Sequence, residues 1–260
     1  MSEEKKRKII NQEDIIKILD SCYEKSLTGI KRVSPPVSDM AQEYLMKYED
    51  SEVSCKQMLK NQVKKCATSG FITGFGGAIT LPITIPANIS SVLYVQMRMV
   101  ACTAALAGLD LNSDQVQTFV YACLAGVSVT QVVKKAGIKV GKKIAEKGIE
   151  KIPGKALVKI NQKVGFRLLT KFGEKGVVNF AKLLPGVGAV INGGFDYAET
   201  KIIANRAYKM FFEGDFSAGE KPEDEIDDDT ASTIIDAELV DDYEDTYEVD
   251  KEKGKTIIIE

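Results

Sequence analysis

Histidine, the side chain that most often acts as a general acid or base, is absent from this 260-residue chain, which also contains no tryptophan. Chemistry that needs an imidazole is therefore excluded, including Ser-His-Asp and Cys-His nucleophiles, histidine metal sites and histidine pH switches. The cysteines are odd in number and lack a C-x-x-C pair, which favours reduced thiols over a disulfide framework or a zinc site. They are Cys22, Cys55, Cys66, Cys102 and Cys123. The sequence predicts no metal, no cofactor and no catalytic residue, so a non-enzymatic role is favoured.

One arginine lies in the most apolar part of the chain. Residues 66–133 contain only three charged side chains, which are Arg98, Asp110 and Asp114. If Arg98 is buried in a helix over residues 87–109, its guanidinium needs a carboxylate or carbonyl partner, because an unpaired buried charge is strongly destabilising. Asp196 is the candidate partner, and the alternative is that Arg98 reaches solvent over the edge of the helix. The candidate buried polar site comprises Asn88, Arg98, Asp196 and Thr200.

Glycines are concentrated in two motifs. They are Gly70, Gly74, Gly76 and Gly77 in the first motif, and Gly193 and Gly194 in the second. Neither motif fits a P-loop, which requires G-x-x-x-x-G-K-[ST], or a dinucleotide-binding turn, which requires G-x-G-x-x-G. Close packing of helices, or a turn before a helix, is therefore favoured over the binding of a phosphate by these glycines.

Basic side chains recur at every fourth position through the segment 134–175. The series is Lys139, Lys143, Lys147, Lys151, Lys155, Lys159, Lys163, Arg167, Lys171 and Lys175. Pro153-Gly154 divides the segment, and each half is predicted to form an amphipathic helix with its basic residues confined to one arc. Such a helix binds an anionic membrane surface, or it packs on the protein with a solvated lysine face. Nucleic acid is disfavoured, because the segment is mostly lysine and interleaved exposed aromatics are not expected.

Helical periodicity dominates the rest of the chain and predicts an all-α, multi-helix bundle. Residues 1–65 form two helices around the break at Pro35-Pro36 and belong to the body. Residues 66–212 form the helical core, which includes the basic segment. Apolar and polar residues do not alternate for more than a few positions, so strands are not expected in the body.

The C-terminal segment has the opposite charge. Residues 1–212 contain 31 basic and 18 acidic side chains, whereas residues 213–260 contain 4 and 19. We predict that residues 213–260 are a disordered acidic tail, because their apolar clusters are short. The tail either competes with anionic lipid for the lysines or only increases solubility.

A long uncharged stretch raises the question of a membrane span. From Cys66 to Leu109 the only charged residue is Arg98, but Pro82, Pro86 and the position of Arg98 argue against a lipid-exposed helix. The N-terminus is charged and is not followed by the apolar region of a secretory signal. The expected location is the cytoplasm, with peripheral attachment to the inner face of the cytoplasmic membrane.

Two motifs resemble those of the bacterial EcsC family. The first is GFITGFGGAITLPITIPAN over residues 70–88, followed by QMRM over 96–99, and the second is LPGVGAVINGGFD over 184–196. The likeness covers roughly residues 10–212. It implies a link to transport or secretion at the cytoplasmic membrane and no established reaction. Asn88 stands where the family is expected to have an acidic residue, which argues against carboxylate chemistry at that position.

The favoured function is peripheral association with an anionic membrane surface or with a membrane transport complex. One alternative is a soluble protein-interaction module whose partner binds the tail. The other is a pocket protein, with or without enzymatic activity, that accepts an apolar ligand, such as a lipid, between its glycine-rich helices.

Overall fold

The computed structural model describes residues 11–67, 87–135, 149, 151–172, 194–217, 247–250 and 255–258. Eight α-helices occur in this part of the chain. They are α1 (Gln12–Thr28), α2 (Val37–Tyr48), α3 (Ser51–Ala67), α4 (Ala87–Leu106), α5 (Asp114–Ala125), α6 (Thr130–Lys135), α7 (Gly154–Phe172) and α8 (Gly194–Tyr208). The predicted all-α class is confirmed.

The first two helices are delimited by local signals. Asn11 caps α1: its side chain accepts a hydrogen bond from the Asp14 backbone N–H at 2.8 Å, and the Asp14 carboxylate accepts one from the Asn11 N–H. The turn that follows α1 begins at Gly29, where φ is +75° and an added Cβ would lie 2.8 Å from the backbone of Ser34. Only glycine fits there without strain. Pro36 then precedes α2, as the sequence predicted. The prediction of only two helices up to residue 65 is wrong, however, because the chain turns again at Glu49, where φ is +59°, and α3 follows α2.

Helix α4 is the centre of the body. It packs against α1, α2, α3, α5 and α8. Every side chain from Leu93 to Ala104 is buried, so this stretch of the helix is covered on all sides. That is the arrangement expected for a helix that is apolar all round.

Helix α7 lies at the periphery and has only one buried face. Four apolar side chains on that face contact the body, which α7 meets at α1 and α5. They are Leu157, Ile160, Val164 and Leu168. These are apolar residues that the sequence predicted on the face of the second basic helix opposite its lysines.

The body continues beyond residue 212, the boundary expected from the charge distribution. After α8 the chain forms a π-helical turn over Lys209–Glu213. Phe216 is then buried against Phe119, with ring centroids 5.7 Å apart, and its carbonyl accepts a hydrogen bond from the Val129 N–H. A buried aromatic ring thus keeps these residues with the helices, although their charge resembles that of the tail.

The chain divides into two compact units, residues 1–220 and 221–260. In the second unit, Tyr247–Asp250 (β1) pairs antiparallel with Lys255–Ile258 (β2). This strand pair was not expected from the sequence. Residues 218–246 lie outside the described part, so disorder of the acidic tail stays a prediction.

Candidate functional site

Arg98 is buried in α4, with 6% of its surface exposed. Its Nη1 donates a hydrogen bond to the Pro35 carbonyl at 2.6 Å and to the Tyr94 hydroxyl at 3.3 Å. Its Nη2 lies 3.6 Å from the Met40 sulfur, and the guanidinium lies 5.7 Å from the centroid of the Tyr94 ring. The partner is thus a carbonyl, which was one of the two predicted types. The alternative in which Arg98 reaches solvent is wrong.

The contacts of Arg98 indicate a structural role. Tyr94, one turn earlier on α4, shares a hydrogen bond with Ser34 at 2.7 Å and donates to the Lys25 carbonyl at 3.3 Å. Arg98 and Tyr94 therefore attach the connection between α1 and α2 to the central helix. Such a network of satisfied polar groups holds a turn in place and needs no ligand.

Thr200 belongs to a different contact. It is fully buried on α8, where its hydroxyl accepts a hydrogen bond at 3.2 Å from the side-chain amide of Gln96, which is also buried. Gln96 and Arg98 are two residues apart on α4, so they point about 200° apart around the helix axis. Arg98 and Thr200 therefore lie on opposite sides of α4, and the structure does not bring them together.

The structure does not describe the side chains of several residues that the sequence singled out. Asn88 and Asp196 are placed in the first turns of α4 and α8, but their side chains are not described. Of the motif glycines, only Gly194 is described, as the first residue of α8. The others are Gly70, Gly74, Gly76, Gly77 and Gly193. Close packing of helices at these glycines stays a prediction.

A second arginine, which the sequence analysis did not single out, reaches the end of α5. Arg206 on α8 donates a hydrogen bond from Nη1 to the Cys123 carbonyl at 2.9 Å. Gly126 ends α5 with φ at +68°, and an added Cβ would lie 3.0 Å from the guanidinium. Desolvation lowers the pKa of Arg206. A cation at a helix C-terminus is stabilising, so this contact also serves the fold.

The four cysteines in the described part with assigned side chains are free and buried. Burial raises the pKa of the Cys22, Cys55 and Cys123 thiols to about 12, and it raises that of Cys102 as well. A nucleophilic cysteine needs a lowered pKa, because the thiolate is the reactive form. These thiols therefore behave as core residues. Cys66 lies outside this description.

The basic side chains of α7 form an outward-facing arc. Those described are exposed, as is Lys151 just before the helix; they are Lys155, Lys159, Lys163 and Arg167. Lys171 ends the arc, but its side chain is not described. The other predicted members of the series, Lys139, Lys143, Lys147 and Lys175, lie outside the described residues.

Two apolar side chains are exposed on the same helix. Phe166 is 60% exposed and Val158 is 57% exposed. Viewed along the helix axis, Phe166 projects within about 20° of both Lys155 and Lys159. The expectation that the basic segment lacks an exposed aromatic is therefore wrong. A helical projection of the sequence places Phe166 on the same side as the lysines, opposite Leu157 and Val164. That projection was the signal from which the exposure of Phe166 could have been predicted.

Basic residues are concentrated on α6 and α7. Helices α6 and α7 together contain seven basic residues and no acidic residue. In the part of the chain that is described, Lys135, Lys155, Lys159 and Lys163 form no ion pair with a carboxylate. Together with Phe166 and Val158, the exposed basic side chains of α7 make up what we call the α7 basic face.

The fold and these contacts describe a helical protein with a central buried helix and a basic surface helix. The chain belongs to the EcsC protein family, which it matches over residues 3–212. Comparison with curated proteins and with solved structures found no match. Among the described helices, none is both long and apolar enough to cross a membrane.

Proposed function

We propose that this protein is a non-enzymatic helical protein that associates peripherally with an anionic membrane surface. The single observation that carries the proposal is the α7 basic face, where exposed lysines surround an exposed phenylalanine. A helix that lies in a membrane interface combines these two features, because cations meet the lipid headgroups while apolar side chains insert between them. The cytoplasmic location and a partner in a transport or secretion complex rest on the resemblance to the EcsC family.

The expected energies are sufficient for reversible attachment. Each lysine near an anionic surface contributes about 1 kcal/mol, and burying a large apolar side chain contributes about 1.5–3 kcal/mol. Three lysines and Phe166 together thus supply about 5 kcal/mol. Binding of this size is weak and salt-dependent, as is typical of proteins that associate with membranes peripherally.

Membrane is favoured over nucleic acid by the chemistry of the exposed apolar residues. Binding to single-stranded nucleic acid uses aromatic rings on which bases stack, and the ring of Phe166 could serve in that way. Val158 has no ring, however. Four of the five basic residues of α7 are lysine, whereas arginine is the side chain that also stacks on bases. Both apolar side chains gain from insertion into lipid, so the membrane surface accounts for the whole face.

A soluble protein-interaction module is the second candidate. It is favoured by exposed apolar side chains away from α7, of which Met46 is the most exposed at 76%. The others are Leu45, Val53 and Ile202. The two candidates differ in cell fractionation, because a peripheral membrane protein leaves the membrane pellet in high salt, whereas a soluble protein is never in it.

The direct test is sedimentation with vesicles of phosphatidylcholine, alone or mixed with phosphatidylglycerol. The wild-type protein should sediment with the anionic vesicles, and added salt should release it. Phe166→Ala should weaken binding several-fold, while Phe166→Leu, which keeps the apolar area, should stay close to wild type. Failure of the wild type to bind anionic vesicles at low salt would overturn the proposal. Binding to single-stranded DNA that Phe166→Leu abolishes would favour nucleic acid instead.

A further inference from the structure

A groove of about 380 Å³ runs between α6 and α7. Lys135 of α6 lines one side, and Lys155, Lys159 and Lys163 of α7 line the other. Apolar side chains, including Val132 and Ile160, also contribute to the lining. The three lysines of α7 follow one another at four-residue intervals, so they span about 12 Å along the helix axis.

Four ammonium groups around one groove repel each other unless an anion lies between them. Within the described part of the chain, no carboxylate pairs with any of the four. Like charges at this spacing on a helix are destabilising, and they are more so when a second helix adds another. Binding of a compact anion would reduce this repulsion.

We infer that this groove binds the phosphate of an anionic phospholipid, preferably a terminal phosphate monoester. The inference rests on the proposed function and names the headgroup that the α7 basic face would select. A phosphate monoester has three free oxygens and carries about −1.5 to −2 charges near pH 7. Several lysines suit such a group, because each ammonium is a compact point charge with three donors that rotate freely.

The surroundings of the groove indicate a lipid rather than a free phosphate ester. The apolar part of the lining suits the glycerol and first methylenes of a lipid, whereas a soluble ester would leave it in contact with water. A second groove, nearer the C-terminal end of α7, shares Lys159 and Lys163 with the first and is also lined by Phe166. The phosphate groove therefore adjoins the aromatic side chain that is proposed to enter the bilayer.

Two matched pairs of substitutions separate a defined site from general attraction. Lys135→Gln with Lys155→Gln removes one groove lysine from each helix. Lys134→Gln with Lys151→Gln removes the same charge from exposed positions next to them, outside both grooves. All four positions are exposed, so both variants should fold, which thermal unfolding followed by circular dichroism will verify.

The binding experiment uses vesicles of phosphatidylcholine with either phosphatidic acid or phosphatidylglycerol, adjusted to equal surface potential. The wild type should prefer phosphatidic acid. The groove variant should bind phosphatidic acid at least tenfold more weakly and lose this preference, whereas the matched variant should lose a few-fold on both lipids and keep it. Equal losses by the two variants would overturn the groove site while leaving peripheral binding intact.

A second measurement does not depend on membrane binding. Dihexanoyl phosphatidic acid, a short-chain lipid used below the concentration at which it forms micelles, should shift the NMR signals of α6 and α7 in the wild type but not in the groove variant. That result would support the groove even if vesicle binding fails and the proposed function is lost. Glycerol 3-phosphate has the same headgroup without acyl chains. If it binds as tightly as the short-chain lipid, the assignment to a lipid is wrong.

Discussion

Helices α4 and α7 carry positive charge in opposite ways. In α4 a single arginine is buried, and the fold supplies it with a carbonyl, a phenol and a thioether. In α7 the basic side chains point outward, and the described part of the fold supplies no carboxylate to the lysines. Arg98 stabilises the fold, whereas the lysines of α7 are the side chains that we propose bind the membrane.

The physical basis of the difference is solvation. Water stabilises an exposed ammonium, so such a group needs no protein partner and contributes little to stability. A guanidinium removed from water must recover that stabilisation from neighbouring acceptors. Substitutions in the two helices should therefore separate stability from binding.

The largest expected effect is on binding and comes from α7. Replacing Lys155, Lys159 and Lys163 together by glutamine should weaken binding to anionic vesicles by about 3 kcal/mol, or on the order of 100-fold. The free energy of unfolding should change little, because the three side chains are exposed. Vesicle sedimentation and thermal unfolding measure the two quantities.

A charge-matched control replaces Lys31, Lys47 and Lys209, which are exposed and lie on neither α6 nor α7. The control should keep most of the binding. If the two triple variants lose the same amount, net charge rather than the α7 basic face determines binding, and the contrast between the helices disappears.

The next effect is on stability and comes from α4. Arg98→Met keeps most of the volume but removes the hydrogen bond to the Pro35 carbonyl, so unfolding should become easier by about 1.5–3 kcal/mol. This is less than the roughly 3–5 kcal/mol expected for stranding a buried carboxylate. Chemical denaturation measures the change. An unfolding free energy equal to that of the wild type would contradict the structural role of Arg98.

Vesicle binding supplies the second half of this test. Arg98→Met, measured at a temperature where it stays folded, should bind anionic vesicles like the wild type. Lys159→Gln should show the reverse pattern, with normal stability and weaker binding. A loss of both properties in either variant would mean that the two regions are coupled.

The smallest expected effect comes from the acidic tail. Residues 218–260 contain 17 acidic and 4 basic side chains, and their removal leaves a body with a net charge of +11. A chain ending at Ser217 should bind anionic vesicles several-fold more tightly than the full chain, with little change on neutral vesicles, because the tail is predicted to compete with anionic lipid for the lysines. Salt should reduce the difference, since it screens exposed charges beyond about 8–10 Å. Equal binding across a salt series would show that the tail only increases solubility.

The position of this truncation depends on the structure. The charge distribution alone places the boundary at residue 212, but a chain ended there would lack Phe216, which is buried against Phe119. Losing a buried aromatic side chain costs about 3–5 kcal/mol. A chain ended at residue 212 would therefore lose both the tail and part of the core, and a change in its binding could not be assigned to the tail alone.

Sequence alone determined the family, the helical class and the amphipathic character of α7. Apolar spacing specifies which side of a helix is buried, so Leu157, Ile160, Val164 and Leu168 could be assigned to the core without a fold. The absence of histidine excluded imidazole chemistry with equal certainty. These properties depend on composition or on residues within a few turns of each other.

Which distant groups meet depends on the tertiary structure. The carbonyl that accepts from Arg98 belongs to Pro35, 63 residues away, and a backbone oxygen has no signature in the sequence. The partner of Thr200 is Gln96, and the groove between α6 and α7 likewise depends on how two helices pack. Local periodicity specifies the faces of a helix, but the contacts between faces depend on the packing of the whole core.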